Sequence, residues 1–255
     1  MGAPAARLRE LHQPGDPLLL ANAWDAASAR RFAALGFPAI ATTSGGVARA
    51  LGFEDGQATP AGEMLAAVTR IVAAVDVPVS ADMEAGYGLD ADELAERLLA
   101  TGAVGLNLED SDHTAPGTLV AAEAHAERIA VLAQRGLVVN ARIDVHLRTA
   151  RDAADRLGEA LRRAALYRDA GAACVFPILL DDERELAEFV TRHGGPVNAL
   201  LHHGSPRLSG LRGIGIARVS VGSGIASAAL DHAEAIARAL AGGDDVPLRI
   251  ARGEL

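Results

Sequence analysis

Lysine does not occur in this chain: all 24 residues counted as Lys and Arg are arginine. Its absence removes whole mechanisms. A Schiff base with a carbonyl substrate, a pyridoxal phosphate linkage and a lysine-bearing phosphate loop each need an ε-amino group. Chemistry beside a carbonyl would then depend on a metal or on hydrogen-bond donors to stabilise charge. Cysteine is nearly as scarce. The single one, Cys174, lies in the apolar run Ala172-Ala173-Cys174-Val175-Phe176, which excludes a disulfide framework and a cysteine-based metal site and fits a buried, inert thiol. No apolar run approaches the roughly 18 residues of a membrane span, and residues 1–10 lack the apolar stretch of a secretory signal. A cytoplasmic protein with no membrane partner is therefore expected. Basic clusters are missing too. With a formal charge of -9 and arginines scattered among acids, a nucleic-acid partner is not expected.

What the chain does have is apolar material, 50% of its 255 residues, enough for one large core. A single domain over residues 1–255 is expected. Short apolar or β-branched runs recur near Leu18-Asn22, Ala39-Ser44, Val77-Glu84, Gly105-Glu109, Leu137-Asp144, Ala173-Leu179, Val197-Leu201 and Val219-Ser223. A longer stretch with helical spacing follows each, and separations of roughly 20 to 35 residues fit strand-helix units rather than hairpins. Gly36, Gly102, Gly136 and Gly171 stand where helices should turn into the next strand. No Gly-x-Gly-x-x-Gly follows the first strand, which argues against an open dinucleotide-binding sheet. The pattern predicts an α/β fold with eight parallel strands closed into a (β/α)8 barrel. Such a fold places its chemistry at the C-terminal strand ends.

Those ends carry Asn22 and Asp25, Thr43 and Ser44, Asp82 and Glu84, Glu109 and Asp110, Arg142 and Asp144, and Asn198. In Val77-Pro78-Val79-Ser80-Ala81-Asp82-Met83-Glu84-Ala85-Gly86-Tyr87-Gly88 two carboxylates stand two apart. On a strand, side-chain alternation would aim Asp82 and Glu84 the same way. Convergent carboxylates repel unless a cation binds between them, and magnesium takes such hard oxygen ligands. Glu109, ending the next strand, can join them, while Asp110 reads as a helix cap. Arg142 is the one basic group at the end of a central strand. It can grip a carboxylate with two parallel hydrogen bonds, or pair with Asp144 or Glu109. Thr43-Ser44-Gly45-Gly46 offers hydroxyls and accessible N–H groups for an anion. His113 and His146 are the histidines best placed for acid-base work. The polar loop from Asp110 to Gly117 reads as a mobile element over the site.

Together these segments resemble the isocitrate lyase and phosphoenolpyruvate mutase superfamily. The resemblance runs through Asn22-Ala23-Trp24-Asp25-Ala26-Ala27-Ser28-Ala29-Arg30, Thr43-Ser44-Gly45-Gly46, Leu51-Gly52-Phe53-Glu54-Asp55, Asp82-Met83-Glu84-Ala85-Gly86-Tyr87-Gly88, Asn107-Leu108-Glu109-Asp110 and Ala141-Arg142-Ile143-Asp144. It implies an eight-stranded barrel in homodimers or homotetramers that exchange a C-terminal helix, with magnesium or manganese and a small 2-oxo acid in the site. By the same resemblance Asp82 is the direct metal ligand, while Asp55, Glu84 and Glu109 hold metal-bound waters. Arg142 and the Thr43-Ser44-Gly45 turn hold the substrate carboxylate, with Trp24, Asp25, Gly46 and Asn198 around it. The turn is one residue shorter than in the lyases relative to Leu51-Gly52, leaving both Thr43 and Ser44 as the contact. The lyases' Lys-Arg-Cys lid signature is absent, so isocitrate lyase activity itself is not expected. The implied activity is a carbon-carbon lyase working through an enolate, like an oxaloacetate decarboxylase or a methylisocitrate or dimethylmalate lyase. The alternatives are a P–C bond enzyme such as phosphonopyruvate hydrolase or phosphoenolpyruvate mutase, and a non-catalytic barrel that binds a 2-oxo acid.

Overall fold

The computed structural model describes residues 2–115, 117–149 and 154–245. Strands stand at all eight expected positions: β1 Leu18–Leu20 with its continuation β2 Asn22–Ala23, β3 Ile40–Thr42, β4 Val79–Asp82, β5 Gly105–Glu109, β8 Val138–Ile143, β9 Cys174–Pro177, β10 Asn198–Leu200 and β11 Arg218–Ser220. Two short strands not expected from the pattern, β6 Ser111–Asp112 and β7 Thr118–Leu119, pair antiparallel and turn the anticipated mobile loop into a small hairpin. Pro116 of that loop lies outside the described residues.

All other pairing between strands among the described residues is parallel. One sheet runs β2-β3-β4-β5-β8-β9 and the other β1-β11-β10. Only Ala21 separates β1 from β2, and a single parallel bridge, Val175 to Val197, joins the β9 side to the segment entering β10. The result is an α/β fold of mostly parallel strands. Helix spacing explains the outer layer. In helix Ala61–Val72 the buried Met64, Ala67, Val68 and Ile71 recur at intervals of three and four, one apolar stripe laid on the strands. Helix Ala91–Ala100 starts where the Asp90 carboxylate accepts from the Glu93 N–H at 2.8 Å, and it buries Leu94 and Leu98 completely. Removing either leucine side chain would cost about 2–5 kcal/mol in transfer and cavity energy. The four anticipated turn glycines all adopt positive φ, between 86° and 104°. Cys174 is buried, and burial pushes its thiol up to about 12, which keeps it protonated. Among the described residues no helix is long and apolar enough to cross a membrane.

Candidate active site

The site grows from the ends of β3, β4, β5 and β8. After β3 the chain turns directly into helix Ser44–Leu51, whose N-cap Thr43 accepts from the Gly46 N–H at 3.3 Å. This first turn faces Asp82, the last residue of β4. The Asp82 Oδ2 atom accepts from the Ser44 hydroxyl at 2.9 Å and from the Ser44 N–H at 3.1 Å, a carboxylate at the positive end of a helix. Two glycines let neighbouring side chains come close to this turn. A Cβ on Gly45 would lie 2.5 Å from Asp55 Oδ2, and one on Gly46 would lie 3.0 Å from the Trp24 Cβ. Asp55 is held toward the same point, with the Ser44 hydroxyl 3.5 Å from its Oδ1.

Glu84 reaches the site by a route that alternation did not foresee. β4 stops at Asp82, and Glu84 sits beyond it in the left-handed region, φ 46°, followed by Tyr87 at 54°. Left-handed backbone is uncommon for such residues and marks a constrained turn. The constraint is visible: the Tyr87 hydroxyl donates to Glu84 Oε1 at 2.6 Å, and the Tyr87 N–H donates to Gln57 Oε1 at 2.6 Å. Burial, opposed by the Tyr87 hydrogen bond and reinforced by the charges of Asp82, Glu109 and Asp55, pushes Glu84 up to about 7. Glu109, also buried, binds His113 Nε2 through Oε1 at 2.6 Å and Arg142 through Oε2 at 2.6 Å. One ligand atom from each of Glu84, Glu109 and His113 falls within 4.8 Å of the others, a geometry that suits a divalent cation. The bond to Glu109 also raises the pKa of His113.

Two cavities open over these groups. One, about 230 Å³, is lined by Asn22, Thr43, Asp82, Asn107 and Ser223 among others, and the second, about 300 Å³, by Glu84, Glu109, His113 and Arg148. Ser44, Asp55 and Arg142 line both, which makes them adjoining halves of one polar cleft. A roomier cavity, about 500 Å³, lies by helix Ala3–Glu10 and shares no residue with the acidic cluster.

The sequence model of phosphoenolpyruvate phosphomutase matches residues 8–241. The chain belongs to the phosphoenolpyruvate mutase/isocitrate lyase superfamily. It is 37% identical over 249 residues to the uncharacterized protein Rv1998c of Mycobacterium tuberculosis, covering 96% of this chain and 93% of that one. A crystal structure from Burkholderia cenocepacia J2315 superposes with a TM-score of 0.87 at 36% identity, covering 93% of this chain and all of that one. The 2-methylisocitrate lyase of Bacillus subtilis is 28% identical over 205 residues, 76% of this chain and 66% of the lyase. At 23% identity, 2,3-dimethylmalate lyase shares the fold with a TM-score of 0.83. At 21% identity so does a phosphonopyruvate hydrolase solved with oxalate and Mg++, TM-score 0.82.

Within this superfamily member, several candidate residues stand away from the cleft. Asp25 caps helix Ala26–Ala34, accepting from the Ser28 N–H at 2.7 Å, and Trp24 packs edge-on against Phe32. Asn198 is fully buried and donates to the Ser220 hydroxyl at 3.3 Å. His146 lines a separate cavity of about 420 Å³ with Arg156, Asp181 and His202, and burial followed by Arg156 lowers it to about 4. Asp110 caps no helix. It is fully buried, with Oδ2 bound by Arg163 at 3.0 Å and the Tyr167 hydroxyl at 2.7 Å, and Oδ1 bound by the Asp144 N–H at 2.8 Å. Sequence reasoning passed over Tyr87, although its two flanking glycines marked a special turn, and Arg218, a charge inside the apolar strand run Ile216-Ala217-Arg218-Val219.

Proposed function

We propose that this protein is a cytosolic, magnesium-dependent carbon-carbon lyase that acts on a small 2-oxo or 2-hydroxy carboxylic acid. The observation that carries the reading is the meeting of Asp55, Asp82, Glu84, Glu109 and Arg142 on one polar cleft at the C-terminal ends of parallel strands. Four carboxylates sharing a small volume with Glu84 pushed up to about 7 fit a hard divalent cation, magnesium or manganese. Asp82 would hold it directly, with Asp55, Glu84 and Glu109 around it. Bound there, the cation supplies positive charge to the carboxylate and keto oxygens of a 2-oxo acid.

The chain's own residues do the rest. Arg142 gives two of its five N–H donors to Asp144 and pairs in charge with Glu109 through NH1 at 2.6 Å, which leaves donors for a substrate oxygen. Its charge is secure: burial works against it, but Glu109 and Asp144 outweigh burial and raise its pKa. When the bond between the leaving carboxylate and the carbon next to the keto carbon breaks, its electron pair forms the carbon-carbon double bond of an enolate. The carbonyl π pair moves onto the keto oxygen, and Arg142 stabilises the charge there. Oxaloacetate decarboxylation asks least of the protein, since carbon dioxide leaves without taking a proton. Cleavage of a 2-hydroxy acid needs a base for the hydroxyl proton, and His113, bonded to Glu109, is better placed than His146 in its separate cavity. A second reading, cleavage or rearrangement of a P–C bond, is favoured by the match to the phosphoenolpyruvate phosphomutase model.

We further infer that residues 1–255 form one domain whose strands close into an eight-stranded barrel, β1 and β2 being one strand shared by both sheets. Helix Gly224–Ala241 supports a homodimer or homotetramer with that helix exchanged. It buries only Ala226, while Leu230 and Leu240 are 57% and 53% exposed.

The test is pyruvate release from oxaloacetate, 2-methylisocitrate, 2,3-dimethylmalate and phosphonopyruvate, with magnesium or a chelator, for the wild type and Asp82→Ala. Metal-dependent release lost in the variant is expected, and the substrate turned over separates carbon-carbon from P–C cleavage. Magnesium-dependent binding of a 2-oxo acid without turnover of any substrate would sink the lyase reading and leave a binding barrel.

A further inference from the structure

Beneath the carboxylates, the strands carry a polar layer that the proposed chemistry does not use. Register places Asp82 opposite Asn107, Asn107 opposite Asn140, and Asn140 opposite Cys174 across β4, β5, β8 and β9. Arg218, on β11 and fully buried, reaches into the same layer.

The hydrogen bonds in this layer run one way. The Asn107 side-chain oxygen accepts from Asn140 Nδ2 at 2.8 Å and from Arg218 NH2 at 3.1 Å. An amide oxygen has two lone pairs, so these donors fill it. Flipping Asn107 would set its NH2 group against the Arg218 guanidinium, which can only donate and so fixes the orientation of the amide. The Asn107 NH2 group is therefore turned toward Asp82, with Nδ2 at 3.5 Å from Oδ1, the oxygen that Ser44 leaves free. Asn107 also lines the cleft beside Asp82.

Arg218 is the less expected member. A fully buried guanidinium is ordinarily matched by a carboxylate. Among the described residues Arg218 has none in contact. Its NH2 meets Asn107 and, at 3.5 Å, the Ser80 hydroxyl, and its Nε and NH1 have no hydrogen-bond partner. Burial lowers its pKa to about 10, which leaves it charged at neutral pH. Its charge couples to Asp82 through space, and its closer hydrogen bond is to Asn107, the residue that lies against Asp82.

We propose that Asn107 is a positioning residue for Asp82, and that Asn140 and Arg218 lock its amide so that its NH2 group presents one Asp82 oxygen to a bound divalent cation. The proposal rests on the reading of Asp82 as metal ligand. Supporting groups around a ligand carboxylate typically change metal affinity by 10–100-fold when removed.

The test is Mn²⁺ affinity by electron paramagnetic resonance, alongside thermal unfolding, for the wild type, Asp82→Ala, Asn107→Leu, Asn140→Leu and the double variant Asn107→Leu/Arg218→Met. Leucine keeps the approximate shape of Asn107 without its donors or acceptor. The double variant also removes the guanidinium that Asn107→Leu would leave with the Ser80 hydroxyl at 3.5 Å as its acceptor, so it serves if the single variant does not fold. Asp82→Ala should abolish tight binding. Asn107→Leu and the double variant should weaken it about 10-fold, and Asn140→Leu should weaken it less, with an altered spectrum of the bound ion. A purely structural role would lower the melting temperature but leave the affinity of the folded protein unchanged. Saturable Mn²⁺ binding that Asp82→Ala removes but that stays within about twofold of wild type in the Asn107 variants would overturn the positioning role alone. Absence of saturable binding to the wild type would overturn this role together with the metal reading beneath it.

Discussion

Arg142 lies clamped between two carboxylates: its Nε and NH2 meet the two Asp144 oxygens at 2.7 and 2.9 Å, and its NH1 meets Glu109 at 2.6 Å. Asp144 is fully buried and Glu109 nearly so. The pairing ties β5 to β8 at the level of the cleft. Removing the cation would strand two buried anions, a loss that costs about 3–5 kcal/mol in buried pairs. Arg142→Met is therefore expected to lose about that much unfolding free energy in urea at pH 7. Arg142→Lys should recover only part of it, because a single ammonium cannot match the two-pronged contact with Asp144. A loss under about 1 kcal/mol in the methionine variant, the scale of an exposed pair, would show that the clamp does not hold the fold.

Glu84 makes stability depend on pH in the direction opposite to an ordinary ion-paired acid. Burial raises its pKa from 4.5 to about 7, so the folded state holds this proton more tightly than the unfolded chain does. The stability penalty is absent below about pH 4.5, grows through the interval, and is fully present above about pH 7. Glu84→Gln keeps an oxygen for the Tyr87 hydroxyl and removes the charge. In the presence of a chelator the variant should match the wild type at about pH 4 and exceed it at pH 8, by up to about 3 kcal/mol. Urea unfolding at the two pH values reads the difference. A gap that does not widen with pH would assign the raised pKa elsewhere.

Much of this was legible beforehand because strand spacing and polar strand ends are properties of short local runs. All eight strands, the place of Asp82, Glu109 and Arg142 on them, and the inert Cys174 follow from alternation, periodicity and burial of apolar runs. Where a residue's route or surroundings differ from that pattern, the cause is different. Glu84 enters the site through a left-handed turn, where alternation no longer applies. Asp25 and Asp110 carry the same carboxylate as Asp82, but one is drawn to a helix N-terminus and the other to Arg163 and Tyr167, whose sequence distance of over fifty residues hides the contact. Asn198 opens β10 rather than closing it, so it stands at the N-terminal end of that strand and bonds Ser220 in the interior. His146 follows Arg142 closely in sequence, but the short helix Val145–Arg148 carries it to another cavity.

Gly45 offers a test of the cleft that leaves the core untouched. A Cβ there would lie 2.5 Å from Asp55 Oδ2 and 2.9 Å from the Ser223 hydroxyl, both ends of side chains that can move. Gly45→Ala should therefore displace Asp55 and leave the helix in place, since alanine in a helix is favoured over glycine by about 1 kcal/mol. The expected result is Mn²⁺ affinity reduced about 10-fold with a melting temperature equal to or above that of the wild type. Unchanged affinity would remove Asp55 from the metal site.

Tyr167 and Arg163 converge on the same Asp110 oxygen, at 2.7 and 3.0 Å, and the Tyr167 hydroxyl also lies 3.2 Å from Arg163 NH1. The three side chains join helix Arg156–Asp169 to the end of β5, and Asp110 in turn accepts from the backbone of Asp144, the residue that clamps Arg142. Tyr167→Phe removes one hydrogen bond to a charged group and should cost about 1.5–3 kcal/mol. Arg163→Met leaves Asp110 a buried anion and should cost more, about 3–5 kcal/mol. Because each partner fills the same oxygen, the double variant should depart from the sum of the two losses by more than about 0.5 kcal/mol, the limit for independent sites. Additive losses in urea unfolding would mean that the two contacts hold the helix separately and that Asp110 does not couple them.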